Sequence, residues 1–315
     1  MDEVAKLVEM SGMKAALTWC QFGIGDDKEV GANLDGALEF IQNWQGEADG
    51  RIKTVLGPHS PYVCPPEFLR EIGRLAREHD LPVHIHAAES AEQVNNSLNT
   101  LSKTPIEHLD ACGLFKTSAV VAHGLYLSEN DISILSRNDV TIAHCPITYM
   151  KLAMGCGDLR PLLKAGVNVA LGTDGPGSNS DMDMKAVVRV TPLLQKFHTQ
   201  DAEALPGDLP LRMATVNGAR AMGFMDSGSI EVGKSADIVL YNMDGPHWFP
   251  RHNLVANLVH GGKSSDIDHV FINGRAVMKF GEILTLDEEK ITWEADFRAR
   301  AMVGKNMQIV REYKG

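Results

Sequence analysis

The sequence predicts an α/β protein in which a parallel sheet is packed against outer helices. Short apolar runs of strand length recur at 15–20, 52–57, 82–87, 118–123, 140–144 and 167–172. Stretches with helical spacing alternate with them, at about 34–47, 66–79, 91–101, 105–112, 128–137 and 158–165. Such alternation implies βαβ units and parallel pairing. Three of the runs also end on a polar side chain, His86, His123 and Asp174, and strand C-termini are where parallel α/β proteins do their chemistry. A closed (β/α)8 barrel needs eight strands. Six are countable, so an open doubly wound sheet and a barrel both remain open on this reading.

Taken in order, the run Ala15-Ala-Leu-Thr-Trp-Cys20 comes first. Pro65-Pro66 followed by Glu67 starts the helix at 66–79, because proline fits the first helical turn. Gly166 stops the helix at 158–165. A helix at about 181–197 carries Met182, Met184, Val187, Val188, Val190, Leu193 and Leu194 at core spacing. Another spans about 208–222. Then the texture changes. Gly228-Ser-Ile-Glu-Val-Gly-Lys-Ser-Ala-Asp-Ile-Val-Leu-Tyr241, Asp268-His-Val-Phe-Ile-Asn-Gly-Arg275 and Ala276-Val-Met-Lys-Phe-Gly-Glu282 read as short strands joined by tight turns. Asn273-Gly274 between apolar runs is a hairpin signal. A charged helix at about 287–312 closes the chain.

Composition narrows the function. The net charge of −11 disfavours DNA or RNA and leaves a small, uncharged or zwitterionic molecule as the better partner. Cys20, Cys64, Cys112, Cys145 and Cys156 are odd in number and lack CxxC spacing, which suits reduced thiols rather than a disulfide framework or a structural zinc site. No basic-then-apolar leader and no membrane-length apolar run occurs, so a cytoplasmic protein is expected.

The candidate chemistry sits at the strand ends. Asp174 lies where a buried strand meets the turn Gly172-Thr-Asp-Gly-Pro-Gly-Ser178, and an apolar strand gives a carboxylate no partner. His84 and His86 alternate on one face of a strand, with Val83 and Ile85 on the other. His86 is the better placed as a ligand. Glu89, just past that strand, is read as a proton-donating acid rather than a solvated helix-start charge. His59 is stiffened by flanking prolines in Gly57-Pro-His-Ser-Pro-Tyr62 and suits a substrate contact. His123 precedes Gly124, which permits close approach. Two imidazoles and a carboxylate on one rim suit a divalent metal and its water. His144 and Cys145 are neighbours on a strand, point opposite ways and make no nucleophile pair. The Asp174 turn lacks a Walker lysine, and no GxGxxG, HExxH or zinc cytidine-deaminase signature is present.

Gly57-Pro-His-Ser-Pro-Tyr62, His84-Ile-His-Ala-Ala-Glu89, Ala122-His-Gly124 and Leu171-Gly-Thr-Asp-Gly-Pro-Gly-Ser178, in that order, resemble the amidohydrolase superfamily. The 5′-methylthioadenosine/S-adenosylhomocysteine deaminase branch is the nearest likeness, beside guanine and triazine deaminases. Lys151-Leu-Ala-Met-Gly155, Asn217-Gly-Ala-Arg-Ala-Met-Gly-Phe224, Gly228-Ser-Ile-Glu-Val-Gly-Lys-Ser-Ala-Asp237 and Phe249-Pro-Arg-His-Asn-Leu-Val255 share that likeness. The resemblance implies a (β/α)8 TIM-like barrel of the metallo-dependent hydrolase type with a small β-sandwich appendage. The division expected is a catalytic barrel over 1–225 and an appendage with a C-terminal helix over 226–315.

It also implies roles. His86, on the fifth barrel strand, matches a zinc ligand. Asp174, on the eighth, matches a metal-binding aspartate that also moves protons. His123 matches the histidine that orients the attacking water, Glu89 the acid that protonates a purine ring nitrogen, and His59 a substrate contact. The expected activity is hydrolytic deamination of an amino-purine nucleoside or related amino-heterocycle with one Zn2+ per chain, in a homo-oligomer. A triazine or guanine aminohydrolase or chlorohydrolase is the alternative within the superfamily.

One departure is large. The family's metal site starts with an H-x-H pair on the first barrel strand, whereas 15–20 corresponds to the third, so the barrel is expected to lack its first strands. His84-Ile-His86 does not replace the pair, because only 90 positions separate His84 from Asp174 in a barrel of typically about 250 residues. His84 could serve only as a stand-in ligand. A metal-poor binding protein, or a part-barrel completed by another chain, are the readings from other classes.

Overall fold

A computed structural model describes residues 1–304. Its main sheet follows chain order. β1 (Ala15–Leu17) pairs parallel with β3 (Ile52–Thr54), and β2 (Cys20–Gln21) with β4 (Gly57–Pro58). Each of these two runs is thus one strand broken in the middle. Leu56 bridges to Val83 at the head of β5 (Val83–Ala87). β6 (Ala119–His123), β7 (Thr141–His144) and β8 (Asn168–Leu171) follow, each parallel to the one before. All six expected runs are therefore strands, side by side in sequence order. Beside the break, a Cβ on Gly57 would lie 2.3 Å from Thr18 Oγ1, so only glycine admits that close approach.

The core lies between this sheet and the helices outside it. β5 shows the logic, with Val83, Ile85 and Ala87 buried and His84 and His86 on the opposite, more open face. The helix Pro66–His79 buries Phe68, Leu69, Ile72, Leu75 and Ala76, the i, i+3, i+4 pattern of one face. β8 is buried along its whole length although, among the described residues, it pairs with a strand on one side only.

Among the described residues β1 and β8 pair with no further strand and not with each other. The carbonyl of Val169, which β7 does not use, instead accepts a bond from Asn217 Nδ2 at 2.8 Å. Asn168 Nδ2 donates in return to the Asn217 carbonyl at 3.2 Å and to Thr141 Oγ1 at 2.9 Å. An asparagine side chain thus covers part of an exposed strand edge.

Several boundaries differ from expectation for identifiable reasons. The second helix runs from Asp27 to Trp44, beginning well before residue 34, because Asp26 and Glu29 form a capping box. Helices at Asp2–Ser11 and Pro146–Lys151 were not anticipated. The 208–222 helix is two pieces, Leu209–Ala214 and Val216–Ala221, broken at Thr215. The last helix is Glu288–Val303, and the expected portion at 305–312 lies outside the described residues.

The second unit holds β9 (Ile238–Tyr241), β10 (Ile267–Ile272), β11 (Arg275–Lys279) and β12 (Glu282–Ile283), antiparallel in the order β12-β11-β10-β9. Asn273 and Gly274 both take positive φ, 49° and 76°, as the predicted two-residue hairpin requires. A sandwich needs two sheets, and the described residues of this unit supply one. The stretch from Gly228 to Gly233 is not a strand, and its Ile230 and Val232 are exposed without a ladder partner. Burial raises the Asp237 carboxyl, but bonds from Lys14, Ser227 and the Asn273 amide outweigh this and hold it below the usual range. That network ties the chain's start to the second unit.

Replacing Asn217 with alanine leaves the Val169 carbonyl short of a partner, while Asn168 keeps its bonds to the backbone carbonyl at 217 and to Thr141. The Asn217→Ala protein is expected to lose about 1–3 kcal/mol of unfolding free energy in urea titration. An unchanged midpoint would refute the edge-covering role.

Candidate functional site

Five of the six residues singled out in the sequence meet at the C-terminal ends of β4, β5, β6 and β8. His59 follows β4 directly, and its backbone amide donates to the Gln21 carbonyl at 2.8 Å. Its own carbonyl accepts twice from one residue: the backbone amide of His86 at 3.1 Å and the His86 ring Nδ1 at 2.7 Å. A carbonyl can only accept, so Nδ1 carries the proton and the Nε2 lone pair of His86 is left for another partner. His84 sits two residues earlier on the same face and is exposed.

The rings continue as a file. Centroids lie 5.2 Å apart from Phe22 to His59, 4.9 Å from His59 to His86, and 5.5 Å from His86 to His123. Tyr149 then stands 5.8 Å from His123 and 5.1 Å from His144. Glu89 Oε1 approaches His123 Nε2 to 3.9 Å. Its other oxygen, Oε2, accepts from Tyr62 Oη at 3.2 Å and from Gln93 Nε2 at 3.3 Å, while Gln93 Oε1 accepts the Glu89 amide at 3.2 Å. One carboxylate oxygen is thereby fixed by donors, and the other faces the histidine.

Asp174 is held by its own turn. Its Oδ1 accepts from the Gly175 amide at 2.6 Å, and Asn179 Nδ2 and Thr148 Oγ1 both bond the neighbouring Thr173 carbonyl, at 2.7 and 3.2 Å. The backbone at three of these strand ends is in the left-handed region: Ala88 at φ 53°, His123 at 78° and Asp174 at 64°. Non-glycine residues hold such angles only where the surroundings enforce them, commonly at functional sites.

Electrostatics follow the geometry. Burial lowers the pKa of His123, with the His86 imidazole adding to this, while the Glu89 and Asp174 charges oppose it. His59 is lowered by burial and by His86. Both are therefore neutral near pH 7. His123 Nδ1 is buried without a hydrogen-bond partner. Cys145 has its thiol pushed up to about 12 by burial, which removes it as a nucleophile and agrees with the sequence reading.

His86 Nε2 and the unbonded Asp174 oxygen are the donor types a divalent cation takes, with the His86 ring oriented by a carbonyl as metal-bound histidines usually are. Among the described residues no three histidine, cysteine, aspartate or glutamate side chains are grouped so as to hold a metal. The donors thus fit a zinc ion in kind, and they are fewer than the three protein ligands of a catalytic zinc. Tyr62, Gln93 and Tyr149 escaped the sequence reading. Gln93 carried a signal, being four residues after Glu89 and so one helical turn away.

The sequence profile described as "Amidohydrolase family" matches residues 1–277. The 5-methylthioadenosine/S-adenosylhomocysteine deaminase of Pelotomaculum thermopropionicum is 44% identical over 305 residues, 97% of this chain and 70% of that protein. The zinc-bound crystal structure of an adenosine deaminase from Xanthomonas campestris superposes with a TM-score of 0.90 at 30% identity, covering 96% of this chain and 69% of that one. An atrazine chlorohydrolase of Arthrobacter aurescens complexed with zinc shares the fold, with a TM-score of 0.85 at 23% identity over 94% of this chain and 68% of that one.

His144 supplies a pH test. Both ring nitrogens are buried without partners, and burial pushes its pKa down to about 3. The folded state keeps it neutral while the unfolded state takes up a proton below about pH 6.5, so stability is full above that value and falls as pH drops towards 3. Between about pH 7.5 and 5.5 this one group is expected to cost about 1.4 kcal/mol. Thermal melts of the natural protein and of His144→Asn should show the variant with the shallower loss, and equal slopes would contradict the assignment.

Proposed function

The chain belongs to the amidohydrolase family and is a hydrolase of carbon–nitrogen bonds, and on that premise we propose that it deaminates an amino-purine nucleoside or a related amino-heterocycle, releasing ammonia. The observation that carries this reading is the meeting of His86, His123 and Glu89 on neighbouring strand ends, with Asp174 close enough for its charge to act on His123. The six-strand arc is read as the third to eighth strands of a (β/α)8 barrel, with the chain divided after residue 225. Homo-oligomeric assembly and a cytoplasmic location belong to the same reading; among the described residues no helix is long and apolar enough to cross a membrane.

His86 and Asp174 would hold a zinc ion. When bound, it supplies Lewis-acid activation of water, lowering a pKa of 15.7 to about 7. The remaining work falls to this chain. Neutral His123 accepts a hydrogen bond from the attacking water and orients it on the ring carbon that bears the amino group. Glu89 delivers a proton from Oε1 to the adjacent ring nitrogen, since Oε2 is occupied by Tyr62 and Gln93. Asp174 transfers the water's proton to the departing amine. His59 presents its ring to the substrate while its carbonyl keeps His86 in place. As ammonia leaves, Glu89 takes back the proton of the hydroxyl on the ring carbon, so the ring keeps the oxygen as a carbonyl and the acid is restored.

The test is ammonia release from methylthioadenosine, S-adenosylhomocysteine, adenosine, guanine and melamine, with zinc content measured on the same sample. Glu89→Gln keeps the shape and removes the transferable proton, so turnover is expected to fall by about 10²–10⁴-fold with zinc content unchanged. Undiminished turnover would show that the acid lies elsewhere. His86→Ala is expected to lower both zinc content and ammonia release, and unchanged zinc would remove His86 from the ligand set.

A further inference from the structure

We propose that this site selects a heterocycle whose substituent is uncharged and apolar, packed against Phe22 and Tyr62, and discriminates against one that carries an amino-acid tail. The inference rests on the deaminase reading and narrows its substrate class. The name of the relatives spans both kinds, a neutral methylthio nucleoside and one ending in an ammonium and a carboxylate.

Two aromatic side chains stand open at the mouth of the site, Phe22 at 44% and Tyr62 at 48% exposure. They flank the His59 ring, Phe22 stacked on it at 26° and Tyr62 edge-on at 5.8 Å. Neither is a loose surface residue. The Gln21 carbonyl beside Phe22 is bonded by the His59 amide, and Gly23 packs so closely on Phe68 that a Cβ there would lie 2.3 Å from that ring. Tyr62 is tied through its hydroxyl to Glu89. Fixed, exposed aromatic faces beside a proton donor form a binding surface rather than a solvated rim. A thioether sulfur makes favourable contacts with such rings.

Charge decides against the tail. The ionisable groups that act on the His59 and His123 imidazoles are His86, Glu89 and Asp174, and no lysine or arginine is among them. Lys151, which reaches the turn after Asp174, donates to the Gly177 carbonyl at 3.1 Å and to Ser180 Oγ at 2.7 Å. Among the described residues, the groups that act on these two imidazoles offer a substrate carboxylate no lysine or arginine as a partner. The groove that opens beside Tyr62 and the Glu89 turn, about 360 Å³ in volume, offers none either. Its walls, including Pro61, Gln93, Asn96, Ser97 and Leu101, are uncharged throughout. A carboxylate buried there would lose its hydration without an ionic partner.

Calorimetric titration of the full chain with methylthioadenosine, S-adenosylhomocysteine and adenosine tests the proposal without depending on turnover. Methylthioadenosine is expected to bind at least about tenfold more tightly than S-adenosylhomocysteine. Phe22→Ala should weaken methylthioadenosine by about tenfold and leave adenosine within about twofold. Phe22→Lys, at an exposed position that tolerates the longer chain, should reverse the preference by supplying the missing cation. Equal affinity for the two thio-nucleosides, or Phe22→Ala weakening all three ligands alike, would overturn this proposal and leave the deaminase reading intact. Absence of binding by all three would overturn both.

Discussion

The site depends on one carbonyl oxygen. His59 O receives both the backbone amide and the ring of His86, so a single acceptor joins the end of one strand to the next, fixes the His86 tautomer and aims its free nitrogen inward. Every further member of the site is placed relative to that ring. His123 stacks on it, Glu89 follows it by three residues, and the His59 ring continues the file towards Phe22 and Tyr62. Were His59 to shift, the backbone pairing and the imidazole would move together. This explains why two prolines flank it: they keep the loop from relaxing away from a bond that has both a structural and a chemical consequence.

The strand ends show the cost of such placement. Ala88, His123 and Asp174 all adopt left-handed backbone, a conformation that costs a non-glycine residue roughly 1–3 kcal/mol. Three such residues on one rim persist because a well-packed sheet and helix layer beneath holds them. Val83, Ile85, Val121, Ile142 and Val169 are each buried to 1% exposure or less. The core thus works as a rigid foundation, and the polar groups above it are oriented by short backbone bonds rather than by one another.

Much of this was legible in the sequence, and the limits are physical. Alternation of apolar runs found all six strands within a residue or two, because buried parallel strands leave a continuous apolar signature. Polar residues that end such runs identified His86, His123 and Asp174 for the same reason that makes them costly to bury. The capping box at Asp26 and Glu29 was also written in the chain, yet Gly31 interrupts the periodic pattern between it and the expected start at 34. Gly228–Gly233 shows the opposite failure. Its residues have strand character, but a strand exists only when paired, and no single-sequence pattern supplies a partner. Nor could spacing show that the His59 carbonyl, rather than its ring alone, organises the site. Tyr62 and Phe22 carried no periodic signal, since they act through surface left open rather than surface buried.

On the proposed function, with Glu89 as the acid, the open aromatic surface also connects that acid to selectivity. Tyr62 has two faces to its role: its hydroxyl binds Glu89 Oε2, and its ring forms part of the mouth. A substrate group packed on that ring presses on the residue that fixes the proton donor, so recognition of the distal part of the molecule and orientation of the acid share one side chain. On that reading, an apolar substituent improves this arrangement by excluding water from Glu89. A charged tail would bring water with it and loosen the same bond. Selectivity and proton delivery are, on the proposed reading, two results of one aromatic contact.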